Sequence, residues 1–92
     1  MSNLHMDVES CGATQQSIMS TKEQIANQLS ALTSSVNGMV GTNWIAPSAT
    51  QFQQAYQDWS NAMAAKLEEL ANMGTRLQTE INQWIETGGT LA

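Results

Sequence analysis

The sequence predicts an all-α fold, in which two long antiparallel helices are joined by a short connector. Three observations lead there. Apolar residues recur at alternating steps of three and four along two long segments, the spacing that lines one face of a helix. No stretch alternates apolar and polar residues as a half-buried strand does. Between the segments lies GTNWIAPSATQF, the only stretch that combines two turn-formers, Gly41 and Pro47, with the bulky aromatic Trp44.

The first helix is expected over residues 8–40. Val8, Cys11, Ile18, Ile25, Leu29, Leu32, Val36 and Met39 form its stripe. Written as heptads, one register reads Val8, Gln15, Lys22, Leu29, Val36 and the other Cys11, Ile18, Ile25, Leu32, Met39. Polar Gln15 and Lys22 weaken packing in a seam but can fix register or partner choice. Asp7 is placed to cap the helix start, and Gly38 and Gly41 to end it.

The connector is expected over residues 41–47 and the second helix over 48–86. Ser48-Ala49-Thr50-Gln51 fits a capping box, and Pro47 with Phe52 fits a hydrophobic staple. Pro47 also biases Ala46 away from helical geometry. Phe52, Tyr56, Trp59, Met63, Leu67, Leu70, Met73, Leu77, Ile81, Trp84 and Ile85 make the stripe. Their spacing predicts a core role for Phe52, Tyr56 and Trp59; Trp84 fits the core by the same spacing, with a surface anchor near the C-terminus as the alternative. Gly74 interrupts the stripe at a cost of about 1 kcal/mol in helix propensity. Gly88-Gly89 stops the helix, and residues 87–92 form a loose tail.

At 1.5 Å per residue the helices are roughly 50 and 57 Å long. Two helices side by side cover only part of each other's stripe. Helical stability comes mainly from burying that face. A second hairpin supplies the cover, so the sequence predicts a dimer, a four-helix bundle of two chains. Core candidates for hairpin or dimer are Ile18, Ile25, Leu29, Leu32, Val36, Phe52, Tyr56, Trp59, Met63, Leu70, Leu77 and Trp84. No charge block demands an opposite partner, which favours a homodimer; a heterodimer with a related hairpin is the alternative.

Composition narrows the function. The chain of 92 residues fits one small domain. Its net charge is -5, with Lys22, Lys66 and Arg76 the only Lys and Arg residues. That argues against nucleic acid, whose binding rests on neutralising phosphates, and against anionic membrane. No apolar run approaches the roughly 20 residues of a membrane span. MSNLHMDVESCG has neither a basic start nor an apolar core, so a cleaved signal peptide is not expected. One cysteine, Cys11, and one histidine, His5, make no metal set. Asp58, Glu68, Glu69, Glu80 and Glu86 lack the Glu-x-x-His pairing of carboxylate bundles and read as solvated. No Ser/His/Asp set or phosphate loop is present, so neither an enzyme nor a cofactor is expected.

The connector exceeds what a turn needs. Trp44 and Ile45 are not required to make it, so they close the bundle end, face a partner, or both. Trp44-Ile45-Ala46 stands mid-chain between two helices, Phe52 follows Trp44 by eight residues and Trp59 follows Phe52 by seven. With the opening LHMDVES, this resembles the WXG (Trp-x-Gly) hundred-residue family, the Esx or early-secreted-antigen-like proteins of bacterial type VII secretion. The resemblance spans the whole chain. It departs in two places: Ala46 stands where the family has Gly, and the Tyr-x-x-x-Asp/Glu signal of many exported members is missing after the second helix. The resemblance implies a non-enzymatic hairpin, made in the cytoplasm and exported as a folded dimer through an ATPase of the FtsK/SpoIIIE type. It would act outside the cell or as partner of a larger effector, with Trp44, Ile45 and Ala46 as the recognition motif. The alternative is a cytoplasmic adaptor or chaperone paired with a larger effector or toxin.

Overall fold

A computed structural model describes residues 4–88. It contains two helices, α1 (Val8–Met39) and α2 (Pro47–Glu86). They pack against each other as a helical hairpin, within two compact units. One unit is Glu23–Glu68; the other takes the chain up to Lys22 and from Glu69 onward. Among the described residues, no helix is long and apolar enough to cross a membrane.

α1 begins where Asp7 caps it. The Asp7 carboxylate accepts the Ser10 backbone N–H at 3.0 Å, satisfying one of the donors that a helix start leaves open. Glu9 in the first turn complements the helix dipole. α1 ends at Met39. Gly38 lies inside the helix rather than ending it, and the stop is made by Gly41. Its φ of 85° is a left-handed turn that glycine adopts without steric cost.

α2 starts two residues earlier than a capping box with Ser48 at the N-cap requires. Pro47 is the first helical residue, a position where its fixed φ fits and its missing N–H is not needed. Ser48 is therefore already inside the helix, and no capping bond links Ser48 with Gln51. Instead, the Ala46 carbonyl accepts the Ala49 N–H at 3.0 Å. α2 ends at Glu86, and Gly88 turns the chain with φ 69°. Gly89 and the rest of the expected tail lie outside the described residues.

In the Glu23–Glu68 unit the buried residues are Val36, Ala49, Ser60 and Leu67. In the other unit, among the described residues, they are Gly74 and Ile81. Along α2 this line runs at intervals of seven: Ser60, Leu67, Gly74, Ile81. Small and large residues alternate along it, Ser60 and Gly74 with Leu67 and Ile81. The aromatic residues of α2 lie off this line. Phe52 and Trp59, expected in the core, are 43% and 49% exposed in the single chain. The buried residues near them on α2 are Ala49 and Ser60.

Candidate functional site

The connector is held by its own backbone. Thr42, Asn43 and Trp44 all direct their N–H groups at the Met39 carbonyl, at 3.2, 3.0 and 3.2 Å. The Gly41 N–H returns to the Trp44 carbonyl at 3.0 Å. Trp44 is thus tied at both its donor and its acceptor. Its half-buried ring rests on Phe52, with centroids 5.8 Å apart and planes at 46°, a tilted arrangement that suits aromatic quadrupoles. Phe52 holds the tryptophan from α2, just over one turn after Pro47 begins that helix.

Ile45 beside it is 80% exposed. Ala46 is half-buried, and no residue other than glycine has a positive φ among the described residues. Alanine at the third motif position therefore carries no backbone strain. Trp44, Ile45 and Ala46 border a groove of about 400 Å³, shared with Val40, Pro47 and Thr50. Its walls are mostly apolar and its opening is wide, which suits an apolar side chain from another protein better than a small polar ligand.

A second surface of the same unit lies along both helices. Leu32 is 47% exposed beside Trp59. Together with Ile25, Gln28, Leu29 and Met63 they border a shallow groove of about 170 Å³. None of these six side chains carries a charge. Tyr56 stands behind Trp59, with ring centroids 5.9 Å apart and planes at 41°. Its hydroxyl meets Thr33 of α1 at 2.9 Å. One level nearer the connector, the Gln53 side-chain amide donates to Asn37 Oδ1 at 3.0 Å. Polar bonds thus tie the hairpin together at its edge while the apolar face stays open.

In the other unit Ile18, Leu70, Leu77 and Trp84 are half-buried. Gln15, a polar residue in the expected seam, donates from Nε2 to the Gly74 carbonyl at 3.4 Å. The structure therefore groups the expected residues into three sets. Trp44, Ile45 and Ala46 make the connector groove. Ile25, Leu29, Leu32, Trp59 and Met63 make an open face, with Phe52 stacked on Trp44 and Tyr56 on Trp59. Val36 alone among the core candidates is buried. Sequence reading missed Thr33, Asn37, Gln53 and Met19. Each is a pairing partner across the helices, and no single-helix periodicity marks such a partner.

The family model WXG100, described as proteins of 100 residues with WXG, matches residues 3–84. The span takes in the Trp44-Ile45-Ala46 connector, the exposed face and most of α2. Comparison with curated proteins finds no match, and comparison with solved structures finds none either.

Proposed function

The chain belongs to the WXG100 family, and from that premise we infer that it is a small type VII secretion substrate acting through protein contacts as a dimer. The observation that carries this reading is the open apolar face. Leu32, Phe52 and Trp59 are each between 43% and 49% exposed in the single chain. Large exposed apolar surfaces mark interaction sites, and a second hairpin laid on this one completes a four-helix bundle.

A second copy is the favoured partner. The residues bordering the shallow groove carry no charge, so the face sets no electrostatic demand for an unlike surface. A self-complementary face is what a two-fold dimer requires. A related hairpin is the alternative partner. Family resemblance supplies the secretion step, an ATPase of the FtsK/SpoIIIE type acting on the folded dimer. Within that reading, the connector motif Trp44, Ile45 and Ala46 is the recognition surface, and the work of the protein is contact rather than catalysis.

The test has two parts. Mass measurement of the protein purified alone returns twice the chain mass; a stable folded monomer at micromolar concentration overturns the homodimer. In its own host the untagged protein reaches the medium and is lost from it when the secretion ATPase is disabled. Strict retention in the cytoplasm, bound to a larger effector, supports the adaptor reading instead. The Trp44→Ala variant remains dimeric and is not exported; normal export removes the recognition role of Trp44.

A further inference from the structure

Gly74 is buried in mid-helix, and the space its side chain would take is occupied by Met19. An ideal Cβ at position 74 would fall 2.5 Å from Met19 Sδ, 3.3 Å from Met19 Cγ and 3.2 Å from Ile18 Cγ2. The thioether sulfur is therefore seated against the backbone of α2. Glycine here costs helix propensity, and the close approach of Met19 is what that cost gains. Gln15, one turn before Met19 on α1, bonds the Gly74 carbonyl at 3.4 Å, so one glycine carries both the apolar and the polar contact of α1 at this level.

We propose that Met19 is a peroxide-oxidisable modification site, and that its oxidation state sets how tightly α1 and α2 pair at Gly74. Met19 is half-buried rather than enclosed, so part of its side chain is open to solvent and to a small peroxide. A sulfur lone pair attacks one peroxide oxygen and an S–O bond forms as the O–O bond breaks. The departing hydroxide takes the proton of the transferred oxygen and leaves as water. Sulfur loses two electrons and the peroxide gains them. The product is a sulfoxide, polar and chiral where the thioether was apolar and flexible. On the side of Gly74 there is no room for an added oxygen. Oxidised Met19 must leave the notch or turn a strong dipole against Ile18 and the α2 backbone, and both weaken the pairing. Sulfoxide reductases restore the thioether, so the change is reversible.

The neighbouring residue supplies an internal reference. Met73 precedes Gly74 and is 61% exposed. Its oxidation changes a solvated side chain and leaves the notch intact. This inference does not depend on the secretion reading.

The test titrates the purified protein with hydrogen peroxide. Sulfoxides are assigned by peptide mass, and amide hydrogen exchange is followed over residues 15–19 and 70–78. Exchange in those segments is expected to accelerate by roughly tenfold, equivalent to about 1.4 kcal/mol of lost pairing. The acceleration rises with Met19 sulfoxide rather than with Met73 sulfoxide, and a methionine sulfoxide reductase reverses it. Met19→Leu, of similar volume and inert to peroxide, shows no acceleration; Met73→Leu behaves as the wild type. The proposal is overturned if Met19 stays reduced while Met73 oxidises, if exchange is unchanged with Met19 fully oxidised, or if Met19→Leu accelerates as the wild type does. The first two outcomes are read on the wild type alone, so they stand even if a variant folds poorly.

Discussion

The Tyr56 hydroxyl lies 2.9 Å from Thr33 Oγ1, and Thr33 in turn donates its only hydroxyl proton to the Leu29 carbonyl at 2.9 Å. Tyr56 is therefore the donor of the pair. The bond pins α2 to α1 beside the open face, behind Trp59.

Removing the donor and removing the acceptor have different costs. Tyr56→Phe leaves Thr33 still bonded to Leu29 and is expected to lower stability by about 0.5–1.5 kcal/mol, the net worth of one neutral hydrogen bond. Thr33→Val strands the tyrosine hydroxyl in a half-buried place and costs about 1–3 kcal/mol. The double variant loses less than the sum, because the two residues share one interaction. Urea unfolding of the three variants measures this; additive losses would show that the bond contributes nothing.

Gly74 tests close packing against helix propensity. Gly74→Ala gains about 1 kcal/mol of propensity and incurs about 1–3 kcal/mol of overpacking. Met19 is flexible enough to yield part of the way, so a net loss of about 1 kcal/mol is expected. Gly74→Val adds a branched side chain and loses several times more. If Gly74→Ala is stabilising in thermal unfolding, Met19 does not need the notch.

Trp59 is half exposed in the single chain, so its loss should spare the hairpin and harm association. Trp59→Ala is expected to keep its helical circular dichroism while dimer affinity falls by about 2 kcal/mol or more, the cost of a buried aromatic anchor. Sedimentation at several concentrations reads the shift towards monomer. Unchanged association together with lost helix content would place Trp59 in the hairpin core after all.

These residues show where sequence reasoning succeeds. Periodicity finds that a helix has an apolar side, because steps of three and four are a property of one helix alone. It does not say how wide that side is or which edge of it meets which partner. Leu67 and Ile81 sit on the buried edge, Trp59 and Met73 on the exposed edge, and all four share one stripe in the sequence. The buried edge also includes small residues, Ala49, Ser60 and Gly74, which carry little hydrophobic signal. Gly74 stands out in the sequence only as an interruption; its use depends on Met19, some fifty positions away. Local backbone chemistry was more legible. Asp7 caps α1, and Gly41 turns the chain, as their residue types require. Ser48 did not cap α2 because Pro47 starts the helix two residues earlier than such a cap requires.

Asp7 gives α1 a dependence on acid. Its carboxyl is held below the ordinary value of 3.8, first by the Ser10 backbone N–H and then by the Ser10 side chain and nearby His5. A depressed carboxyl stabilises the fold above the ordinary value, and that contribution disappears as pH falls through the lower folded value. Between neutral pH and about pH 5 the helix start is therefore expected to be insensitive to pH. As pH falls from 3.8 through the lower folded value the cap weakens progressively, and protection of the first turn of α1 falls with it. Asp7→Asn keeps a capping oxygen without a titrating group, so its first turn should show no such acid step. An equal step in Asp7→Asn would assign the effect to another group.

Gly41 tests whether the connector motif depends on the turn that presents it. At φ 85° a side chain meets its own backbone rather than a neighbour, since nothing else lies within 4 Å of the added Cβ. Gly41→Ala is therefore a test of backbone conformation alone, with an expected cost of about 1–2 kcal/mol. The strain is relieved by letting the turn relax, which breaks the Gly41 N–H bond to the Trp44 carbonyl and frees the indole from Phe52. Tryptophan fluorescence reports that release when read with Trp59→Phe and Trp84→Phe in the background, leaving Trp44 as the emitter. The expected result is a red-shifted emission for Gly41→Ala with helix content retained. An unshifted emission in a stable variant would mean that Phe52 alone holds the Trp44 ring and that the left-handed turn serves only to end α1.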